Sequence, residues 1–197
     1  MLLNTPNKLT FLRVFFVPLF LAALIIQFPF HYFAALLLFA AASFTDYLDG
    51  YLARKNNMVT NFGKFLDPIA DKVLTTAAFL GFIYLGIGHG IVWITLIVLF
   101  REFAVASLRM LAAANKNVIA ADRWGKVKTV VQMVAIMATV FLQGILAILS
   151  QYATEYYDML YLPFVIIMDV LLWLSALLTV ISGVNYVVKN YKTISVD

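Results

Sequence analysis

The sequence predicts an all-α, polytopic membrane protein in which six transmembrane helices form one bundle. Of the 197 residues, 64% are hydrophobic and only 12% are charged, and the mean hydropathy is +0.95. Ordinary soluble domains are about half apolar and a quarter charged. The apolar runs suit helical spans of about 20 residues and are too long for the strands of a membrane barrel. Because little sequence remains for a soluble part, we expect a single integral-membrane domain over residues 1–197.

The predicted spans are apolar runs bounded by polar or turn-forming residues. Thr5 can cap the first helix, and Pro6 can occupy its first position. The second span ends, and the third begins, in the most acidic stretch of the chain. Residues 151–158 form a polar, tyrosine-rich segment that we expect to connect the fifth span to the sixth. The six spans cover about residues 9–27, 31–54, 63–85, 90–114, 124–149 and 161–188.

The basic residues predict the orientation of these spans. With six spans, both termini and the segments 55–62 and 115–123 lie on one side of the membrane, and all Lys and Arg except Arg101 fall at or near that side. The opposite connections carry His31, His89, Glu155 and Asp158, but neither Lys nor Arg. The positive-inside rule therefore predicts a multi-pass protein of the cytoplasmic membrane with its termini and its acidic stretch in the cytoplasm. In such a protein the net charge of +4 concerns topology and lipid headgroups, and we expect no nucleic-acid partner.

Four of the ten acidic residues lie between residues 46 and 71, at helical spacings. Asp46 and Asp49 are three residues apart, and Asp67 and Asp71 are four apart, so each pair occupies one side of its helix. Two antiparallel helices joined by the polar segment between them would bring the four carboxylates together. These groups would repel one another unless a cation lay among them, and carboxylate-rich sites suit Mg²⁺, Mn²⁺ or Ca²⁺. The alternative is a solvated carboxylate cluster at a helix end.

The residues near these carboxylates suit a phosphate-bearing ligand. Gly50 and Gly63 leave backbone space for a ligand, and Arg54 supplies a planar guanidinium. Divalent ions held by carboxylates can support the cleavage of a phosphoanhydride by in-line displacement, with a carboxylate taking the proton of the attacking hydroxyl. The chain has no cysteine, which excludes thiolate catalysis and cysteine-type zinc sites.

The pattern D-x2-D-G-x2-A-R-x8-G-x3-D-x3-D, from Asp46 to Asp71, resembles the signature of the CDP-alcohol phosphatidyltransferases at all of its specified positions. The resemblance implies transfer of a phosphatidyl or similar group from a CDP-linked donor to an alcohol, with release of CMP. It also implies two Mg²⁺ or Mn²⁺ ions in the active site and, as is common among such enzymes, a homodimer. The residue roles that it implies are metal binding by Asp46, Asp49, Asp67 and Asp71, general base catalysis by Asp71, and nucleotide binding by Asp49, Gly50, Ala53, Arg54 and Gly63.

A set of cationic residues farther along the chain predicts an acceptor that carries its own phosphate. Arg101 and Arg109 share one side of the fourth span, and Lys126 and Lys128 open the fifth, so that together they form a basic lining. Three short motifs resemble those of bacterial phosphatidylglycerophosphate synthases, which implies CDP-diacylglycerol as donor, sn-glycerol 3-phosphate as acceptor and contact with membrane lipids. The resemblance assigns binding of the acceptor phosphate to the four cations and to Thr10. The motifs are Pro6-Asn7-x-Leu9-Thr10-x-x-Arg13, Arg101-Glu102-Phe103 and Gly125-Lys126-x-Lys128-Thr129.

The cationic residues also have a structural interpretation. Arg101 and Glu102 could form a packing pair, and the two lysines could reach only lipid headgroups. Because adjacent residues lie about 100° apart around a helix, we expect Arg101 and Glu102 to contact different neighbours. We assign Asp169 a structural role and interpret Ser182 and Gly183 as helix contacts.

Two other functions remain open at this point. The same chemistry could use phosphatidylglycerol, giving cardiolipin, or an inositol phosphate as the acceptor. A divalent-cation transporter is the alternative from a different class of protein. Such a transporter should place its ligands near the membrane midplane within inverted repeats. Here the acidic residues cluster at one end of the predicted spans, and no repeat is recognisable, which favours the enzyme.

Overall fold

The computed structural model describes the backbone of residues 5–56, 61–114 and 123–194 and the side chains of residues 12–45, 72–112 and 124–191. Within these ranges every regular element is an α-helix, as predicted. The helix boundaries lie close to the predicted spans except around residues 151–158. The six helices are α1 (Thr5–Ile25), α2 (His31–Asn56), α3 (Asn61–Leu85), α4 (Ile91–Ala114), α5 (Arg123–Tyr152) and α6 (Thr154–Ile194).

The apolar character of the helices agrees with a membrane bundle. Among the described residues, three stretches are long and apolar enough to cross a membrane: Ile91–Ala112, Trp124–Tyr152 and Thr154–Tyr191. The described apolar parts of α1, α2 and α3 are shorter. Large apolar side chains such as Leu37 and Phe100 lie exposed on the helix surfaces, where lipid would cover them. The number of six membrane spans stays a prediction.

The prediction of a polar connection over residues 151–158 is wrong, because only Ala153 separates α5 from α6. The Ala153 N–H donates to the Leu149 carbonyl at 2.9 Å, and the Tyr157 N–H donates to the Ala153 carbonyl at 3.0 Å. Helical hydrogen bonding therefore continues on both sides of the break. The prediction relied on polarity alone, whereas this segment contains neither Gly nor Pro to end a helix. Glu155 in the first turn of α6 also favours a helix start there.

Three glycines form the turn between α3 and α4. Gly86, Gly88 and Gly90 have φ angles of 66°, 90° and 71°, a left-handed conformation that other residues adopt only at a cost. The backbone N–H groups of residues 86 and 87 donate to the carbonyls of Ile83 and Phe82 at 3.2 and 2.9 Å. This pair of hydrogen bonds is a Schellman motif, which satisfies carbonyls at the end of α3 and ends that helix.

The chain forms two compact units, a first unit of residues 1–87 and 136–164 and a second unit of residues 88–135 and 165–197. In the first unit, α1 packs against α2 and α3. The rings of Phe20 on α1 and Phe39 on α2 lie 5.3 Å apart between centroids. A Cβ added to Gly81 on α3 would lie 2.5 Å from Leu24 Cδ2 on α1, so the missing side chain permits close approach of these helices. The prediction of one domain over residues 1–197 stays a prediction.

In the second unit, α4 and α6 lie side by side and run in the same direction. Just before α4, the His89 N–H donates to Asp169 Oδ1 at 2.8 Å, and His89 Nδ1 lies 2.6 Å from Asp169 Oδ2. Near the end of α4, Arg109 contacts the ring of Tyr186, farther along α6. Because the later residue of α4 contacts the later residue of α6, the two helices run in the same direction. This is expected for the fourth and sixth spans of a bundle whose spans alternate in direction. The contact with His89 gives Asp169 the structural role that we expected.

Candidate active site

The four motif aspartates lie on two consecutive helices of the first unit. Asp46 and Asp49 belong to α2, Asp67 and Asp71 belong to α3, and residues 57–60 connect the two helices. At a rise of about 1.5 Å per residue, Asp49 and Asp67 lie about 10 Å from the helix ends that the connection joins, and Asp46 and Asp71 lie about 15 Å from them. Both motif halves are therefore helical, as predicted, and occur at matched distances from the connection.

The side chains of the predicted metal and nucleotide sites lie outside the described residues. This applies to every residue from 46 to 71, and therefore to the aspartates and to Gly50, Ala53, Arg54 and Gly63, and also to Thr10. Among the side chains that the structure describes, no group of three or more His, Cys, Asp or Glu residues could hold a metal ion. The donor set of α2 and α3, four carboxylates in a chain without cysteine, fits a hard divalent cation. The metal and nucleotide assignments stay predictions.

Three charged side chains meet in the second unit. Glu102 Oε1 accepts hydrogen bonds from Arg101 Nη1 at 3.2 Å and from Lys128 Nζ on α5. Lys128 Nζ also donates to Gln132 Oε1 at 3.4 Å. The side chains of Lys128 and Arg101 are only 5% and 11% exposed. Because a buried charge is costly unless it is paired, the shared carboxylate stabilises both cations inside the protein. We call Arg101, Glu102 and Lys128 the charge cluster.

Arg101 also extends to α6, into a space bounded by small residues. Its Nη2 donates to Ser182 Oγ at 2.7 Å. A Cβ added to Gly183 would lie 3.0 Å from Arg101 Cγ, and one added to Gly125 on α5 would lie 3.7 Å from Arg101 Nη2. The side chain of Arg101 thus lies against a glycine on α5 and a glycine on α6. Its position depends on these two glycines, because larger residues there would crowd it.

These contacts decide two of the expectations from the sequence. The expectation that Arg101 and Glu102 contact different neighbours is correct in part, since Arg101 bonds to Ser182 and Glu102 bonds to Lys128. The two side chains also bond to each other, as the alternative of a packing pair predicted. Both side chains are long enough to turn towards each other across the angle that separates them on α4. The interpretation of Ser182 and Gly183 as helix contacts is confirmed, since both lie against Arg101 of α4.

The other predicted acceptor residues have different surroundings. Arg109 lies over the ring of Tyr186, with 5.5 Å between Cζ and the ring centroid. Arg101 and Arg109 therefore reach neighbouring turns of α6, as their predicted common side of α4 requires. Lys128 is buried, whereas Lys126 is exposed. Residues two apart point in nearly opposite directions on a helix, so the two lysines cannot serve one site through the same side of α5.

Sequence interpretation named Glu102 and Arg13 within short motifs without assigning either to the site, and did not name Tyr186, whereas the structure brings all three forward. Glu102 holds the charge cluster together, Tyr186 supports Arg109, and Arg13 on α1 is a cation only 2% exposed. A single arginine within an apolar helix is costly in a membrane, and that cost was the available signal for Arg13. Tyr186 is one of ten tyrosines in the chain, and no local pattern distinguishes it from the others.

Comparison with known proteins agrees with the motif. The family model described as CDP-alcohol phosphatidyltransferase matches residues 3–181, so it includes the acidic motif and the charge cluster. A protein of Bacillus subtilis named CDP-diacylglycerol–glycerol-3-phosphate 3-phosphatidyltransferase is 35% identical over 203 residues, which cover 97% of each chain. A protein of the same name from Rickettsia bellii is 36% identical over 93% of each chain. Another from Pseudomonas fluorescens is 38% identical over 68% of this chain and 71% of its own.

Proposed function

Because this chain belongs to the CDP-alcohol phosphatidyltransferase family, we propose that it transfers the phosphatidyl group of CDP-diacylglycerol to sn-glycerol 3-phosphate. The products would be phosphatidylglycerophosphate and CMP. The observation that carries this proposal is the similarity, over nearly the whole chain, to relatives named for this reaction. The cations that the proposal needs for a phosphate-bearing acceptor lie within the matched region.

The proposed metal site consists of Asp46, Asp49, Asp67 and Asp71 on α2 and α3. Enzymes of this family are generally metal-dependent, and we propose two Mg²⁺ or Mn²⁺ ions at these carboxylates. When bound there, the ions would neutralise charge on the pyrophosphate of the donor and on the departing CMP. The intact set of four carboxylates supports this assignment, since each ion needs several oxygen ligands.

The proposed nucleotide site follows Asp49 along α2. Gly50 and Gly63 leave room for the CDP group, Ala53 adds a small side chain, and Arg54 offers two parallel donors to a phosphate. This assignment rests on the spacing of the motif and on the resemblance that it carries.

In the proposed reaction the acceptor hydroxyl attacks the phosphorus of the phosphatidyl group. A new phosphorus–oxygen bond forms there, and the anhydride bond breaks with its electron pair remaining on CMP. The Asp71 carboxylate takes the proton of the hydroxyl as general base. The water-soluble acceptor and the lipid donor would meet on the cytoplasmic side, which the positive-inside rule supports. By its resemblance to the family, we also propose that the enzyme is a homodimer.

We propose that Arg101, Arg109 and Lys128 form the acceptor-phosphate site, and the resemblance to the family also assigns Lys126 and Thr10 to it. Arg101 and Lys128 both bond to the carboxylate of Glu102 and bring two cationic side chains together inside the second unit. Cationic donors of this kind bind a phosphate through charge-assisted hydrogen bonds. An uncharged alcohol offers them no anionic oxygen, which supports glycerol 3-phosphate as the acceptor.

The test uses purified protein in detergent with CDP-diacylglycerol and either Mg²⁺ or Mn²⁺. Glycerol 3-phosphate, phosphatidylglycerol, inositol phosphate and serine are supplied separately, and CMP release and the lipid product are both measured. We expect product with glycerol 3-phosphate alone, and none in EDTA. Product with a different acceptor would support the proposed phosphatidyl transfer and overturn the assignment of glycerol 3-phosphate as the acceptor. No CMP release with any acceptor, from protein that still shows a cooperative thermal transition, would overturn the proposed function.

A further inference from the structure

The hydroxyl of Tyr186 is buried on α6 without a visible partner. Tyr186 is 1% exposed, and its Oη makes no hydrogen bond to any residue that the structure describes. Leaving a buried hydroxyl unsatisfied costs free energy, so buried polar groups in native proteins nearly always have partners. Replacing this tyrosine by phenylalanine would remove the cost while keeping the ring. The unsatisfied hydroxyl therefore points to a partner that joins it only when a ligand is bound.

The surroundings of Tyr186 indicate which chemistry that ligand has. The guanidinium of Arg109 lies over the Tyr186 ring at 5.5 Å, a cation–π contact that orients a side chain otherwise exposed. One turn earlier on α6, Ser182 accepts the hydrogen bond of Arg101 at 2.7 Å. Residues four apart lie on the same side of a helix, so Ser182 and Tyr186 line one strip of α6. Both arginines extend from α4 to this strip.

Gly183 keeps this strip open to α4. A Cβ at that position would lie 3.0 Å from Arg101 Cγ, so a larger residue would displace the arginine. An anion held by Arg101 and Arg109 would then lie against the strip between Ser182 and Tyr186. The phenolic O–H is a hydrogen-bond donor, and a donor facing an anionic oxygen makes a short, strong hydrogen bond.

We infer that the Tyr186 hydroxyl donates a hydrogen bond to the phosphate of the acceptor while its ring holds Arg109 in position. The inference rests on the proposed function, since it takes the acceptor to be a phosphate-bearing alcohol. It assigns α6 a part in choosing the acceptor. Tyr186 thereby distinguishes a phosphate ester from a neutral alcohol, which offers no anionic oxygen at this place.

The test is Tyr186→Phe, which removes one oxygen and keeps the ring beneath Arg109. We expect the KM for glycerol 3-phosphate to rise by about ten-fold or more, as for loss of a hydrogen bond to a charged group. The KM for CDP-diacylglycerol should stay within about two-fold, and the melting temperature should be unchanged or higher because no buried hydroxyl remains unsatisfied. The matched control is Tyr191→Phe, the same change at an exposed tyrosine of α6, which should alter neither constant.

A second measurement reports binding without turnover. Glycerol 3-phosphate should raise the melting temperature of the wild type, and the shift should be smaller for Tyr186→Phe. An unchanged KM for glycerol 3-phosphate in Tyr186→Phe, with an active wild type, would overturn the inference and leave the proposed function intact. Equal loss with both substrates, together with a lower melting temperature, would also overturn it and indicate a purely structural tyrosine. A wild type that turns over no phosphate-bearing acceptor would overturn both proposals.

Discussion

In the proposed mechanism Asp71 is both the general base and a metal ligand, and the variant Asp71→Asn separates these two roles. The amide keeps an oxygen ligand but cannot take the proton of the acceptor hydroxyl. We expect CMP release to fall by about 10²–10⁴-fold, the usual contribution of a general base. Binding of CDP-diacylglycerol should remain detectable because Asp46, Asp49 and Asp67 are unchanged.

The matched control for that variant is Asp158→Asn, the same change at an exposed carboxylate in the first turns of α6. Its turnover should equal that of the wild type. Donor binding is followed with labelled CDP-diacylglycerol in detergent, and turnover with the CMP assay. Turnover of Asp71→Asn at the level of the wild type would show that another group takes the proton.

Glu102 is predicted to stabilise the fold more than either of its cationic partners, because it is shared by both. Glu102→Gln removes the carboxylate that pairs with both Arg101 and Lys128, and we expect a loss of about 3 kcal/mol in the free energy of unfolding. Lys128→Met should cost less, since Glu102 then still pairs with Arg101. The double variant should recover part of the loss caused by Glu102→Gln. Thermal unfolding in detergent measures all three, and equal small losses in both single variants would contradict the shared pairing.

The helices of this chain follow from local patterns, whereas the contacts between helices do not. Apolar runs and their polar boundaries placed all six helices, because helix formation depends on residues within a few turns. The break at Ala153 was missed, since polarity suggested a loop where no residue prevents a helix. The contact between Arg101 and Gly183 joins residues 82 positions apart. No periodicity carries such information, so the packing of α6 against α4 had to come from the structure, although the six predicted spans already implied that the two helices run in the same direction.

The packing of α6 against α4 depends on Gly183, and a larger side chain there is expected to separate them. Gly183→Leu would push on Arg101 Cγ, which a single added Cβ would already approach to 3.0 Å. Overpacking of this kind typically costs about 1–3 kcal/mol, and acceptor binding should weaken as Arg101 moves. The control is Val184→Leu at the next residue, which is 58% exposed and should change stability by less than about 0.5 kcal/mol. Equal melting temperatures for the two variants would contradict the close packing.

At the scale of the whole molecule, the two proposed parts of the active site differ in how far the sequence could predict them. The acidic motif is local, and its spacing alone places four carboxylates on α2 and α3. The acceptor site needs α4, α5 and α6 together, and the sequence indicated only its cations. Serine and tyrosine are common in membrane helices, so Ser182 and Tyr186 became candidates only through their contacts with Arg101 and Arg109.

The predicted orientation can be tested with single cysteines, because the chain has none of its own. The apolar stretch Thr154–Tyr191 has 38 residues, about 57 Å of helix against a hydrocarbon core of about 30 Å, so its ends should project into water. Tyr152 lies just before this stretch and Tyr191 is its last residue, and the two side chains are 76% and 67% exposed. The positive-inside rule places the basic C-terminal end of α6 in the cytoplasm. We therefore expect a membrane-impermeant maleimide to label Tyr152→Cys in intact cells, and to label Tyr191→Cys only after the membrane is disrupted. The reverse pattern would invert the orientation and place the carboxylate end outside, whereas labelling of both in intact cells would show that α6 does not cross the membrane.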